Sequence, residues 1–344
     1  MSDFTAKLAD RARPLIIAEI AQAHDGSLGA AHAYVDALAD AGADAIKFQT
    51  HIADQESTLD EQFRVRFSYQ DDTRYDYWQR MEFTEPQWAE LKRHAEERGI
   101  AFLSTPFSRA AVDLLARLDV AAWKIGSGDT ALPELLEPMA ESGKPMIVSS
   151  GMSDWAELDR VVDRLRDRKA DFTLMQCTSQ YPTPLENVGL NNLPLIAERY
   201  GCRVGLSDHT GTLSPSLAAI ARGYPLIEVH AIFDKRMFGP DTVASLTIDQ
   251  IGELARFARD VATLDSHPVS KNAMAETLSQ QKALFGRSVG LAQDLAAGHV
   301  LTAGDLLPKK PSGGIPWDNR DDVVGRTLTK DVARNRLLRN EDLK

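Results

Sequence analysis

The chain is short of several things, and each shortage closes off a class of protein. It has 2 cysteines in 344 residues, Cys177 and Cys202. That is too few for a disulfide framework, and a reducing cytoplasm is the compartment that fits. No apolar run approaches the roughly 20 residues that span a bilayer, so no membrane partner is expected. The first stretch, Met1–Arg13, is polar and charged without an apolar core, which argues against a secretory signal peptide. Positive charge is also scarce: 39 Lys and Arg face 50 Asp and Glu, for a formal net charge of −11. A chain of that sign is no general partner for nucleic acid. A local cluster of lysines and backbone N–H groups can still hold a small anion inside an acidic protein.

What the chain does have is a repeat. From Leu15 to about Ala231, a short apolar run, a polar terminus and a helical stretch recur in that order. The runs are Leu15–Ile20, Ala45–Phe48, Ala101–Leu103, Ala122–Ile125, Met146–Val148, Phe172–Met175, Arg203–Leu206 and Leu226–Val229. Amphipathic stretches lie between them, among them Ala30–Ala41, Glu85–Arg98, Ala110–Leu118, Pro133–Glu141, Trp155–Arg168 and Ser214–Arg222. Strand–helix alternation predicts parallel strands with right-handed crossovers. Eight such units predict a closed (β/α)8 TIM barrel of the α/β class. The competing open, doubly wound sheet lacks its Gly-x-Gly-x-x-Gly turn after the first strand.

Two segments interrupt the repeat. The polar, aromatic stretch His51–Phe83 reads as a lid or small subdomain after the second strand, or equally as solvated helix packing. Beyond a closing helix at Ile248–Leu264, the polar stretch from Ser266 onward reads as linker. The expected division is a barrel over 1–265, a linker over 266–284 and a small β-rich domain over 285–344. In that last domain short strands are expected at Arg287–Leu291 and Gly298–Thr302, with too little core to stand without docking.

The polar strand ends carry the chemistry, because barrel active sites lie at the C-terminal ends of strands. In order they are Glu19; Lys47 with Gln49; Ser104 with Thr105; Lys124 with Ser127; Ser149 with Ser150; Thr178 with Ser179; Ser207 with His209; and His230. Each hydroxyl alone is read most simply as a helix cap. Two lysines in one barrel mouth are costly to bury without an anion, so the set points to a phosphate or carboxylate site. Either histidine alone would be read as capping its strand. Two at matching ends of successive strands point instead to a divalent metal. Proline-stiffened chain aims Tyr181 after the sixth strand, and a charged loop after the eighth presents Asp241.

Several stretches carry a family resemblance. They are Ala18-Glu19-Ile20, Lys47-Phe48-Gln49-Thr50-His51, Ser104-Thr105-Pro106-Phe107-Ser108, Lys124-Ile125-Gly126-Ser127-Gly128-Asp129, Tyr181-Pro182-Thr183-Pro184, Gly205-Leu206-Ser207-Asp208-His209-Thr210 and Gly239-Pro240-Asp241. In order and over nearly the whole chain, these resemble the sialic acid synthases, which condense phosphoenolpyruvate with an N-acylated amino sugar. From Phe285 the tail resembles that family's antifreeze-like (SAF) domain. The resemblance implies a transferase of carbohydrate biosynthesis that makes a sialic or other nonulosonic acid and phosphate. It implies that His209 and His230 bind Mn²⁺, with Mg²⁺ or Co²⁺ as substitutes. Lys47, Thr105, Lys124, Ser127, Ser149, Ser179 and Ser207 would then line the phosphoenolpyruvate site. Glu19, Gln49, Tyr181 and Asp241 would face the acceptor sugar, and Asp129 would handle the attacking water. It also implies a homodimer in which one subunit's tail covers the other's barrel and Lys310 reaches the acyl group.

The chain departs from the family pattern at Ala23, Ser179, Ala231, Ile232 and Lys310, mostly toward the acceptor. Two other readings stand beside this one. Lys124 could serve as the Schiff-base nucleophile of a class I aldolase, or the chain could bind sugar phosphates without turnover.

Overall fold

The computed structural model describes residues 3–10 and 13–344, which form two compact units, Met1–Ser266 and His267–Lys344. In the first unit eight parallel strands make the ring: β1 (Leu15–Ala21), β2 (Ala45–Thr50), β3 (Ala101–Pro106), β4 (Trp123–Ile125), β5 (Met146–Ser149), β6 (Phe172–Cys177), β7 (Arg203–Asp208) and β8 (Leu226–Ile232). Ladder pairing runs β3-β2-β1-β8-β7-β6-β5-β4, and β3 and β4 lie side by side where the ring meets. A short β9 (Ser245–Thr247) pairs with β8. The barrel is the one expected from the alternation, and most strands run further at their C-terminal ends than their apolar runs.

The helices in order are α1 (Asp3–Asp10), α2 (Leu28–Ala41), α3 (Ala53–Glu56), α4 (Arg74–Met81), α5 (Glu85–Glu97), α6 (Arg109–Arg117), α7 (Pro133–Glu141), α8 (Trp155–Asp167), α9 (Asn192–Tyr200), α10 (Ser214–Ala221) and α11 (Ile248–Ser266). The α9 helix is not apparent from the sequence, because Pro194 looks like a breaker there. It falls in the first turn, where the missing N–H leaves no helical bond unmade.

Side-chain alternation along each strand explains both the core and the site. In β1, Ile16, Ala18 and Ile20 face outward into the layer packed by the helices. Leu15 and Ile17 face inward, in one cluster with Ala45, Leu103, Ala122, Ile147, Met175 and Leu226. Those inward residues fill the lower barrel, so the next inward position on each strand lies above an apolar floor.

The N-terminal segment completes that floor. Met1–Arg13 reads as merely polar, yet Phe4 and Leu8 stand one turn apart on α1 and join the inward cluster, 3% and 2% exposed. Thr5 Oγ1 donates to the Ala121 carbonyl at 3.2 Å beside them. Met1, Ser2, Arg11 and Ala12 of this segment lie outside the described residues.

In the second unit the expected linker forms two exposed helices, α12 (Lys271–Thr277) and α13 (Ser279–Phe285). The β-hairpin pairs β10 (Ser288–Leu291) with β11 (Leu306–Lys309), not with Gly298–Thr302. Gly298 has φ +86, a turn conformation, and Val300 makes only an isolated bridge to Thr327. The unit also has more core than expected: Val289, Leu291, Leu301, Val323, Leu328 and Leu338 are all fully buried.

Candidate active site

A cavity of about 640 Å³ opens at the C-terminal mouth of the barrel. Its base is built by alternation: Glu19, Lys47, Thr105, Lys124, Ser149, Ser207 and Glu228 occupy the inward positions directly above the apolar floor. Lys47 Nζ donates to Thr105 Oγ1 at 3.0 Å and pairs with Glu19 Oε1 at 2.6 Å. Gln49 Nε2 donates to the same Glu19 oxygen at 2.8 Å. Lys124 Nζ donates to Ser149 Oγ at 2.8 Å and to the Ile125 carbonyl at 3.2 Å, and lies 3.5 Å from Glu228 Oε1. Burial favours protonation of Glu19, yet the charges of Lys47, His230 and Lys124 outweigh it and hold the carboxyl far below its usual range.

Glu228 stands out because it sits inside the apolar run Leu226–Val229, where it reads as part of a strand core. It is 2% exposed; Oε1 accepts from Ser207 Oγ at 3.0 Å, and Oε2 has no hydrogen-bond partner. The available signal was its spacing: two residues before His230, it must share that residue's inward face.

The histidines come together as expected from the matching strand ends. Their ring centroids lie 5.2 Å apart. His209 Nδ1 donates to the Thr178 carbonyl at 3.1 Å, which orients the ring and turns Nε2 to the Tyr181 hydroxyl at 3.2 Å. The Tyr181 ring stacks on His209 with centroids 4.3 Å apart. Burial disfavours the His209 cation, but Cys177, the Thr178 carbonyl and Glu19 together raise its pKa to about 9. Burial pushes His230 toward its neutral form, against the pull of Glu19, whose Oε2 lies 3.4 Å from Nε2. Among the described residues no set of three or more His, Cys, Asp or Glu is placed to hold a metal. The residues that could hold an ion at this mouth are the two imidazoles of His209 and His230.

Around this base the loops supply the rest. Gly151 must be glycine, because a Cβ there would meet Ser127 Oγ at 2.6 Å, Cys177 Sγ at 2.7 Å and also Ser179 Oγ. The strand-end hydroxyls thus crowd one point, where the Gly151 N–H donates to Ser127 Oγ at 3.1 Å. Asp129 lines the cavity, and burial together with the Glu56 carboxylate lifts its pKa to about 6.

The His51–Phe83 segment takes the lid alternative. Ala53, Tyr77, Trp78 and Met81 form a small core of their own, with Phe63, Phe67 and Tyr75 against it. This segment lines the cavity with Glu56, Phe63, Arg64, Arg74, Tyr77 and Trp78. Arg64 donates to Asp241 Oδ1 at 3.0 Å and the Pro240 carbonyl at 3.1 Å, while its guanidinium lies 4.4 Å from the Tyr181 ring centroid. His51, paired with Glu56 through Nδ1, is sandwiched between Trp78 and Phe107 at 3.9 and 4.4 Å. Neither Arg64 nor Glu56 carries a local sequence signal, since only the folded lid brings them to the mouth.

Of the residues singled out from sequence, Glu19, Lys47, Gln49, Thr105, Lys124, Ser127, Asp129, Ser149, Ser179, Tyr181, Ser207, His209 and Asp241 all line this cavity. His230 does not line it but lies beside it, edge-on to Tyr181 at 5.7 Å. Lys310 belongs to the second unit, where its Nζ lies 5.2 Å from the Phe285 ring centroid.

Comparison with known proteins gives the family. The NeuB family matches residues 34–269, and the SAF domain matches residues 286–344. The N,N'-diacetyllegionaminic acid synthase of Campylobacter jejuni is 31% identical over 333 residues, 95% of this chain and 99% of that one. Human N-acetylneuraminate-9-phosphate synthase is 32% identical over 95% of this chain and 91% of its own length. The crystal structure of N-acetylneuraminic acid synthetase from Leptospira borgpetersenii, in complex with citrate, superposes with a TM-score of 0.68 at 26% identity. That match covers 79% of this chain and 92% of that one. A truncated 3-deoxy-D-arabino-heptulosonate 7-phosphate synthase from Thermotoga maritima, at 14% identity and a TM-score of 0.57, shares the barrel fold. The chain belongs to the NeuB family of sialic-acid-type synthases and ends in an SAF domain.

Proposed function

We propose that the barrel condenses phosphoenolpyruvate with an N-acylated amino sugar, releasing phosphate and giving a nonulosonic acid. One observation carries this reading: two buried lysines, Lys47 and Lys124, stand among hydroxyl donors at the base of a cavity lined by His209, whose ring lies 5.2 Å from that of the buried His230. The lysines, with Thr105, Ser127, Ser149 and Ser207, would offset the charge of a phosphate-bearing carboxylic acid. Gln49, Tyr181 and Asp241 line the space above and, with Glu19 at the base, would orient the sugar.

His209 and His230 would hold the divalent ion, Mn²⁺ in this reading, which when bound polarises the sugar aldehyde. The His209 Nδ1 contact with the Thr178 carbonyl supports the assignment, because it orients the ring with Nε2 toward the cavity. The enol carbon of phosphoenolpyruvate attacks the aldehyde carbon and a C–C bond forms. Water then adds at the carbon bearing the phosphate oxygen, that C–O bond breaks, and phosphate leaves as the ketone forms. Asp129 would take the proton of that water, a task suited to a carboxyl poised near pH 6.

Lys124 as a Schiff-base nucleophile is less well supported. Its amine is already engaged, donating to Ser149 Oγ and the Ile125 carbonyl and lying 3.5 Å from Glu228 Oε1. Borohydride trapping with pyruvate would give a covalent adduct if the aldolase reading were right.

A cytoplasmic homodimer belongs to the same reading. The two cysteines are free, and among the described residues no helix is long and apolar enough to cross a membrane. Val269, Leu284 and Phe285 are exposed by 64%, 64% and 67%, apolar surface that a second subunit would cover. Exchange of tails between barrel mouths would bring Lys310 to the acyl group. The deciding experiment is phosphate release from phosphoenolpyruvate across a panel of N-acylated hexosamines, with and without chelator. Release with at least one acceptor, abolished by chelation and restored by Mn²⁺, is expected. No release with any of them would leave a binding protein without turnover.

A further inference from the structure

A second group of titratable side chains lies outside the barrel, between α2 and α5. His32 and Asp36 stand one turn apart on α2, and Glu90 and His94 one turn apart on α5, so the packing of these helices brings all four together. The Nδ1 atoms of His32 and His94 face each other at 2.7 Å. His94 Nε2 donates to Asp36 Oδ1 at 3.1 Å, and His32 Nε2 lies 3.9 Å from Glu90 Oε1. The imidazoles are 25% and 21% exposed, open enough for an ion to enter.

Proton positions follow from the partners. A carboxylate only accepts, so His94 carries its proton on Nε2 and presents a bare Nδ1. In the neutral pair, the proton between the two Nδ1 atoms belongs to His32. That leaves His32 Nε2 bare and turned toward a carboxylate, an arrangement with no favourable contact on that side.

We propose that His32 and His94 bind a divalent transition metal through their Nδ1 atoms and clip α2 to α5. The His32 proton then moves from Nδ1 to Nε2, where Glu90 can accept it, just as Asp36 accepts from His94. No net proton leaves the neutral pair. Each ligating imidazole donates its outer N–H to a carboxylate, the arrangement that orients histidines at metal centres. Two metal–nitrogen bonds of about 2.0–2.1 Å at a tetrahedral angle place the nitrogens roughly 3.4 Å apart. The rings need to separate by less than 1 Å, which rotation of the partly exposed side chains supplies.

Around the pair, Arg98 donates to Asp36 at 3.0 Å and also pairs with Asp40, so Asp36 is held in place to receive His94. Among the described residues no third side chain is placed to ligate, so water would complete the coordination. Imidazole donors select ions of the Zn²⁺, Ni²⁺ and Cu²⁺ kind over Mg²⁺ or Ca²⁺.

The test is titration of the full chain with Zn²⁺ by calorimetry, comparing wild type, His32→Ala/His94→Ala and His209→Ala/His230→Ala. The outer pair predicts that wild type binds one more Zn²⁺ per chain than His32→Ala/His94→Ala. It also predicts that the barrel variant keeps this site, with a rise in Tm on adding Zn²⁺. That rise should vanish when all four histidines are replaced, and any residual Zn²⁺ binding should be at least tenfold weaker. Phosphate release by His32→Ala/His94→Ala should stay within twofold of wild type, since the pair is remote from the cavity. If His32→Ala/His94→Ala binds as many Zn²⁺ as wild type, or the barrel variant binds none at 1 mM, the site does not exist. Asn replacements, which keep a polar side chain, repeat the comparison if circular dichroism shows the Ala variant unfolded.

Discussion

Lys124 and Glu228 face each other across 3.5 Å at the base of the cavity, and the second Glu228 oxygen touches no donor. A buried ammonium beside a half-satisfied carboxylate is a poor resting arrangement and a good receptor for substrate. Replacing Glu228 with Ala would strand the Lys124 charge, and breaking such a pair costs about 3 kcal/mol. The expected result is a lowered Tm that phosphoenolpyruvate restores more fully than it raises wild type. Equal ligand-induced shifts in the two proteins would show that Lys124 does not bind the anion.

His209→Ala and His230→Ala should each abolish metal-dependent phosphate release and leave the circular dichroism spectrum intact. Loss of a Lewis acid removes several kcal/mol of barrier lowering, so residual turnover should be below one part in a hundred. Near-normal rates after chelation and Mn²⁺ addition would remove the metal from the scheme.

Lys124→Ala should raise the KM for phosphoenolpyruvate far more than that for the sugar. Arginine should not restore it, because a planar fork cannot reproduce the paired donation to Ser149 Oγ and the Ile125 carbonyl. A change confined to the sugar KM would place Lys124 on the wrong substrate.

Asp129 should give the rate an acidic limb. Its pKa of about 6 means that kcat falls as the carboxylate takes up a proton below that pH, and Asp129→Asn should abolish the limb together with most of the rate. The effect on stability has the opposite sense. A carboxyl whose pKa is higher folded than unfolded binds more protons when folded, so its contribution to stability declines as pH rises from about 4 to about 6. Asp129→Asn should therefore be no less stable than wild type at pH 7. A marked loss of stability there would contradict the burial assigned to this carboxyl.

Phe4→Ala and Leu8→Ala should each destabilise the barrel by about 3 kcal/mol, as for other large-to-small changes in a packed core. Chemical denaturation measures this directly. Loss of less than 1 kcal/mol from both would mean that α1 does not seal the floor.

The sequence made some of this visible for a simple reason. A lysine or histidine that ends an apolar run breaks the pattern, so Lys47, Lys124 and His230 are conspicuous, and barrel geometry brings such breaks together. Glu228 breaks its run from within and is hidden unless the inward and outward positions are read separately. Phe4 and Leu8 are two apolar positions on a two-turn helix, too short for a periodicity to emerge. Arg64 reaches Tyr181 and Asp241 only because Phe63, Phe67, Tyr77 and Trp78 pack the lid into a fixed shape. That folding depends on contacts no local pattern encodes. No strand forms at the expected Gly298–Thr302, which has strand-like composition but starts in a turn conformation.

The sealed floor also governs traffic. With Phe4 and Leu8 stopping one end, everything enters and leaves by the lidded mouth, and the lysine-lined base lies deeper than Tyr181, Arg64 and Asp241. Under the proposed reaction, phosphoenolpyruvate must arrive before the sugar that sits above it. The inorganic phosphate left at the base must then wait for the new acid to depart. Entry and exit are ordered like plates in a stack, first in and last out, because the vessel has a bottom.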